Sequence, residues 1–222
     1  MDATLMGMST VSARDKAYNW IKEAILKRNV APGQFIVETE ISKILGLSRT
    51  PIREALQALE AEGLIRLVPR KGALVRDISL QDLEEVFELR ILIEQFALRK
   101  LIRSRNFSCL ERMKERLEAQ KQLCRENKSV EFIAVDREFH LYYIKSVDNH
   151  RVFRFYDGLR DELLRLGIEA IQTPGRMMEV LEEHDAIVTA FDKGLLAETE
   201  EAVARHLLAT KAAIARAMPT FR

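Results

Sequence analysis

Apolar positions along this chain recur at helical spacing over most of its length. Between Arg14 and Arg28, residues Ala17, Trp20, Ile21, Ala24 and Ile25 fall at i, i+3, i+4, i+7 and i+8. That pattern predicts one buried helix face, closed off by Pro32-Gly33. A short helix over roughly 38–45 follows and stops at Gly46. Ser48 is placed to cap a third helix with Pro51 in its first turn, where a missing N–H costs little. Ile52, Ala55, Leu56 and Leu59 form its apolar face, and Gly63 suits the position after its last residue, Glu62. The period then changes. Ile65 and Leu67 alternate with charged or turn residues, Pro69-Arg70-Lys71-Gly72 makes a turn, and Leu74-Val75 returns, which predicts a small hairpin.

Beyond Asp77 the period is helical to the end. Ser79 with Asp82 three residues on has the form of a capping box and opens a long helix through Leu83, Val86, Phe87, Ile91 and Leu98. Ser108 with Glu111 opens another, and helices are predicted over 130–147, 152–171, 176–192 and 196–217. Asn149-His150, Thr173-Pro174-Gly175 and Gly194 separate them, with His150 expected in a loop. The expected fold is therefore mainly α. Three helices and a hairpin over residues 10–77 form a winged helix-turn-helix, and residues 78–222 form an all-helical bundle of six to seven helices.

Composition changes this picture in only one place. The 222 residues are 47% hydrophobic and 31% charged, as in a globular chain. No apolar run approaches the ~18 residues of a membrane span, and the segment before Arg14 lacks the long apolar core of an export signal, so a cytoplasmic protein is expected. Cys109 and Cys124 have no zinc or redox spacing and read as structural thiols. The net charge of +1 argues against nucleic acid until it is divided at the domain boundary. Residues 1–78 hold twelve Lys and Arg against nine Asp and Glu, a surplus of three; the remainder holds 23 against 25, a deficit of two.

The surplus gathers where a winged helix-turn-helix meets DNA. Arg49 and Arg53 are four residues apart at the start of the third helix, opposite its apolar stripe. Arginine there can fork onto O6 and N7 of guanine, and the free N–H groups of the first turn suit phosphate. Arg70-Lys71-Gly72 would present charge at an exposed turn. The run "ETEISKILGLSRTPIREALQALEAEGLIRLVPRKGALV" closely resembles the DNA-binding domain of the GntR family of bacterial transcription regulators, over nearly all of residues 14–76. The resemblance implies a homodimer on a short palindromic operator in double-stranded DNA. It also implies Arg49 and Arg53 as principal contacts, with Ser48, Thr50, Lys71 and Gly72 beside them. Some relatives carry a basic residue between the two glutamates of the second helix; Thr39 stands there, so a contact from that point is absent or different.

The second half has its own chemistry in the histidines. Asp136 and His140 are i, i+4 on one helix, so carboxylate and imidazole point the same way. His184 lies on a later helix, and His206 lies among Ala202, Val203 and Leu207 on the last. Three helices could bring one oxygen and three nitrogens to one centre, a set that suits zinc and also nickel, manganese or iron. Taken singly, each histidine reads more readily as a core residue bonded to a neighbour; it is the three together with a correctly spaced Asp136 that raise the metal reading. The stretches "FELRILIEQFAL", "DREFHLYYI" and "EEHDAIVTAF", with the histidine of the final helix, are similar to the helical effector-binding (FCD) domain of the FadR-like branch of the same family. That similarity implies Asp136, His140, His184 and His206 as ligands of a divalent metal. It implies Arg90 as a residue facing an effector, here a small carboxylate metabolite. Arg90 can alternatively pair with Glu94, i, i+4.

The expectation is a metabolite-responsive regulator and not an enzyme. Glu138 would be turned about 160° around the helix from His140, so it is no general base for a metal there. A pure metal sensor and a structural metal with the effector elsewhere remain alternatives.

Overall fold

Residues 12–26 and 28–218 are described by a computed structural model of the chain. Residues 10–11, at the start of the first expected domain, Lys27, and residues 219–222, at the end of the second, lie outside them. The chain divides into two units, one ending at Asp77 and the other beginning at Ile78.

In the first unit, α1 (Ala13–Leu26), α2 (Glu38–Leu45) and α3 (Arg49–Ala61) surround one apolar core. Ala17, Ile21 and Ile25 meet Ile41 of α2 and Ile52, Ala55, Leu56 and Leu59 of α3 there, with Trp20 only partly buried against them. Ile65 of β2 (Ile65–Val68) and Ala73 and Val75 of β3 (Gly72–Val75) close the same core. A third strand, β1 (Phe35–Ile36), pairs antiparallel with β3, so the sheet order is β1-β3-β2 and the expected hairpin is the larger part of a three-stranded wing. Two residues are too few for alternation to show. Ser48 precedes α3 with extended backbone, but its side chain makes no capping hydrogen bond, contrary to the expected cap.

The second unit contains seven helices among the described residues: α4 (Leu80–Arg103), α5 (Leu110–Arg125), α6 (Ser129–Ser146), α7 (His150–Gly158), α8 (Arg160–Ala170), α9 (Arg176–Asp192) and α10 (Leu196–Ala217). The Ser79–Asp82 capping box forms with both hydrogen bonds, joining side chain to backbone in each direction. Ser108 does not open α5. Its own N–H donates to the Asn106 side chain, and the helix starts after Cys109. The single helix expected over 152–171 is two, broken at Leu159, whose ψ of 4° interrupts the ladder directly after Gly158. Apolar residues run on across the break, so spacing alone could not reveal it. His150 begins α7 instead of lying in a loop, because Asn149 caps that helix by accepting from the N–H groups of Arg151 and Val152.

What positions the site is a set of polar residues standing on apolar stripes. The buried stripe of α4 contains Arg90 and Glu94 among Leu83, Phe87, Ala97 and Leu101. That of α5 runs Leu110, Met113, Leu117 and then Gln120. His140 on α6, His184 on α9 and His206 on α10 likewise occupy core positions. Since α10 packs on α4, α8 and α9, and α5 on α6 and α9, these positions converge. Buried polar groups persist only when they find partners, so their convergence is where the bundle's chemistry lies. No helix of the described residues is long and apolar enough to cross a membrane.

Candidate metal centre and nucleic-acid interface

Asp136 and His140 share one face of α6, and His184 and His206 arrive from α9 and α10. One donor atom from each of the four lies within 4.8 Å of the others. His140 Nε2 is 3.8 Å from Asp136 Oδ2, and His184 Nε2 is 3.5 Å from Asp136 Oδ1. Donors about 2.1 Å from a common ion stand roughly 3–4 Å apart, so both separations fit. All three rings are buried, and the Asp136 side chain is 16% exposed.

The outer nitrogens fix the tautomers. His140 Nδ1–H donates to Glu94 Oε2 at 2.7 Å, His184 Nδ1–H to Gln120 Oε1 at 2.8 Å, and His206 Nδ1–H to Glu183 Oε2 at 2.7 Å. The carboxylates can only accept, and the Gln120 amide nitrogen donates to Asp136 Oδ1 at 3.2 Å, which leaves its oxygen for His184. With Nδ1 as the donor, a neutral ring turns the lone pair of its Nε2 inward. The Nε2 atoms of His140 and His184 are buried with no hydrogen-bond partner among the described residues. Two orphaned acceptors, each destabilising by about 1–3 kcal/mol, are what a cation at this point would satisfy. Burial, reinforced by His206 and His140, holds the His184 imidazole well below its usual range; burial, with His140 and Arg90, does the same to His206. Neutral imidazoles are the form a metal takes. Burial raises the Asp136 carboxyl, against the opposing influence of His140 and Arg90.

Around this lies a layer of which the sequence indicated only the Arg90–Glu94 pair. Glu94 is fully buried and accepts from Arg90 Nε at 2.9 Å, from the Tyr156 hydroxyl at 2.8 Å, and from Tyr143 as well as from His140. Burial pushes its carboxyl up, but His140 and Arg90 outweigh that and hold it well below the usual carboxylate range. Arg176, also buried, grips both oxygens of Glu183 at 2.7 and 2.6 Å and donates to Thr210 at 2.9 Å. A polar residue on an apolar stripe was the available signal for Glu94 and Gln120. Glu183 offered none beyond its place beside His184.

Of the two readings of Arg90, the ion pair with Glu94 forms, yet Arg90 also borders a cavity of about 20 Å³ with Asp136, Arg137, Tyr156, His206 and Thr210. Pocket and pair are compatible.

In the first unit, Ser48, Arg49 and Thr50 are exposed at the start of α3. Arg53, 61% exposed, donates Nε to both oxygens of Glu38 on α2 at 3.1 and 2.8 Å. A groove of about 500 Å³ lies between them and the wing, bordered by Glu38, Thr39, Arg53, Arg70, Lys71 and Gly72. Lys71 is exposed at the turn. Gly72 is different. Its φ is +108°, and a Cβ there would stand 2.4 Å from the Ile36 carbonyl oxygen, so β1 itself requires glycine.

Residues 13–75 match the family described as "Bacterial regulatory proteins, gntR family", and residues 85–209 match the FCD domain. The chain is 28% identical over 193 residues to the uncharacterized HTH-type transcriptional regulator YdhC of Bacillus subtilis, covering 86% of this chain and 84% of that one. It is 27% identical over 210 residues to the "Probable D-xylose utilization operon transcriptional repressor" of Paenarthrobacter nicotinovorans, covering 94% and 92%. The solved structure of E. coli McbR/YncC shares the fold, with a TM-score of 0.72 at 20% identity over 93% of this chain and 99% of that one. The chain belongs to the gntR family of bacterial regulatory proteins: it is a DNA-binding transcriptional regulator whose second half is an FCD domain.

Proposed function

We propose that this regulator is controlled by a small carboxylate metabolite at a metal-containing pocket, and acts in the cytoplasm. Residues 10–77 read DNA and residues 78–222 sense and pair. Two copies bind one palindromic operator, with Arg53 at the bases and Ser48, Arg49, Thr50 and Lys71 on the backbone. Gly72 shapes the wing that carries Lys71. Asp136, His140, His184 and His206 would hold a divalent metal, zinc in the first place and nickel, manganese or iron as further fits. When bound, the metal supplies a Lewis-acidic cation with positions open to carboxylate oxygen. The observation that carries this reading is the pair of buried, unpartnered Nε2 atoms facing a carboxylate, each ring locked from behind.

The chain's own residues do the switching. Arg90 already pairs with Glu94, which also ties His140 of α6 and Tyr156 of α7. A carboxylate that draws Arg90 toward itself competes with Glu94 and alters three helices at once. It shifts the populations of DNA-competent and incompetent arrangements only as far as it binds one better than the other.

Elemental analysis of the purified protein, then thermal shifts with a carboxylate panel with and without chelator, tests this. One metal per chain and carboxylate shifts that vanish with chelator are expected. Absence of metal, with an unaltered ligand response in His184→Ala, overturns it. A second reading, metal as the signal itself or as a structural element, is favoured by the cavity, since 20 Å³ admits little more than the roughly 10–15 Å³ a water needs. Metal alone changing operator affinity, with every carboxylate silent, would select the signal; stability alone responding would select the structural role.

A further inference from the structure

Arg176 is a charge in an unfavourable place for the helix that carries it. It is the first residue of α9, and its side chain is 1% exposed. A cation at a helix N-terminus opposes the helix dipole, and a buried guanidinium is costly unless its donors are met. Nothing in the local structure of α9 asks for arginine there, so its reason lies in its partners. Glu183 follows seven residues later, about 20° short of two full turns, and so stands on the same face. Arg176 holds both Glu183 oxygens with its two terminal nitrogens, the geometry that fixes a carboxylate in plane as well as in place. A further bond reaches the exposed Glu179 carboxylate at 3.0 Å.

Glu183 in turn supports a ligand of the metal centre. Its Oε2, held by Arg176 Nη2 at 2.6 Å, accepts from His206 Nδ1–H at 2.7 Å. Arg176 meets α10 a second time through Thr210. That hydroxyl accepts from Nη2 at 2.9 Å and donates to the His206 carbonyl oxygen at 2.9 Å. Ring and backbone of His206 are thus both reached from one guanidinium. The three histidine supports follow one rule. The carboxylates, Glu94 behind His140 and Glu183 behind His206, each hold a buried arginine, Arg90 and Arg176. The neutral amide of Gln120 behind His184 needs no counter-cation. The Glu183 side chain is 18% exposed, so without Arg176 it can turn out to water and leave the ring unsupported.

We propose that Arg176 is a positioning residue of the metal centre, setting His206 through Glu183 and Thr210. The proposal rests on the metal reading above and extends it to the first turn of α9.

Zinc binding to the full chain, measured by chelator competition, tests it. Arg176→Met is expected to raise the zinc dissociation constant about 10–100-fold with one site per chain retained, the usual size of an outer-shell loss. The rise in melting temperature that zinc produces should shrink with it. A role in packing alone would lower the melts with and without zinc together and leave the affinity as it was. In the Glu183→Gln background the amide can accept from His206 unaided, so Arg176→Met is expected to cost less than about 3-fold there. Glu179→Gln, which removes only the exposed partner, should bind zinc as the parent does. If the parent takes up one zinc and Arg176→Met binds it as tightly, or loses the same factor in both backgrounds, the role is overturned and the metal reading stands. If the parent takes up no divalent metal, both fall. Should Arg176→Met fail to fold, Arg176→Lys decides. It keeps the charge without the fork, so weakened zinc binding is expected and parent-like affinity overturns the role.

Discussion

In the proposed DNA-binding role, Arg53 would reach a base edge only as well as Glu38 lets it. Its Nε is engaged by both Glu38 oxygens, which leaves the two terminal nitrogens for the paired acceptors of a guanine edge. Glu38 would thus act as a positioning residue. Glu38→Ala is expected to lower discrimination between the operator and a guanine-substituted variant about 10-fold, the size of one good base contact, while non-specific affinity rises because a carboxylate has left the phosphates' neighbourhood. Competition gel shifts on duplexes selected from a random pool read both; undiminished discrimination refutes the role. The metal centre allows a similar test one step back from the ligands. Gln120→Leu removes the acceptor that fixes His184 and is expected to weaken metal binding about 10–100-fold, with one site per chain retained, as measured by competition with a chromogenic chelator. Full affinity in that variant would mean that His184 is oriented by packing alone, for which its stacking on Phe139, ring centres 4.0 Å apart, is the ready candidate. The convergence of Asp136, His140, His184 and His206 was legible in the sequence because only four histidines occur, three fall on helical stripes, Asp136 lies i, i+4 from His140, and the FCD resemblance points to the same four. Their supports were not, because Glu94, Gln120 and Glu183 meet their histidines across 46, 64 and 23 residues of chain, and no local spacing records such a pairing.

At the scale of elements, pattern reading succeeds where an element is long enough to repeat. α2, α9 and α10 have the bounds their apolar periods indicate, since a stripe that must be buried also marks where burial ends. The break at Leu159 escaped because Val152, Tyr156, Leu163 and Leu166 keep a helical stripe through it. Strand β1 escaped because its evidence lies in its partner. Gly72 belongs to that strand's requirements as much as to the turn. Gly72→Ala places a Cβ 2.4 Å from a backbone oxygen at φ +108°, and backbone cannot yield as a flexible side chain would. The expected loss is about 2–3 kcal/mol in urea unfolding, against about 1 kcal/mol for Gly46→Ala, where φ is +64° but no atom lies within 4 Å of the new carbon. Equal losses in the two variants would show that β1 moves aside and that backbone conformation alone is at stake.

At the scale of the whole molecule, the near-zero net charge of +1 predicts weak attraction to DNA, and the distribution of charge predicts the opposite. Screening decides between them. At physiological salt the Debye length is about 8 Å, so only charges close to the phosphates contribute, and the acidic surplus of the second half is silent unless it lies within that distance. Counterion release then makes the salt dependence a count of contacts. Each phosphate neutralised adds about 0.9 to the slope of log affinity against log salt. Arg49 is exposed at the start of α3, where the free N–H groups already favour phosphate. If two chains occupy one operator, Arg49→Ala removes two such contacts, and the slope should become shallower by about 1.8; a single bound chain would give about 0.9. Arg112→Ala, an exposed arginine on α5 paired with Glu115, should leave the slope as it was. Fluorescence-anisotropy titrations between 50 and 200 mM salt, about the range over which such slopes are steep, separate the three values. An unchanged slope in Arg49→Ala would move Arg49 from the phosphates to the base edges. There it would cost affinity at every salt concentration alike and chiefly on the operator, a difference the same titrations on random duplex would expose.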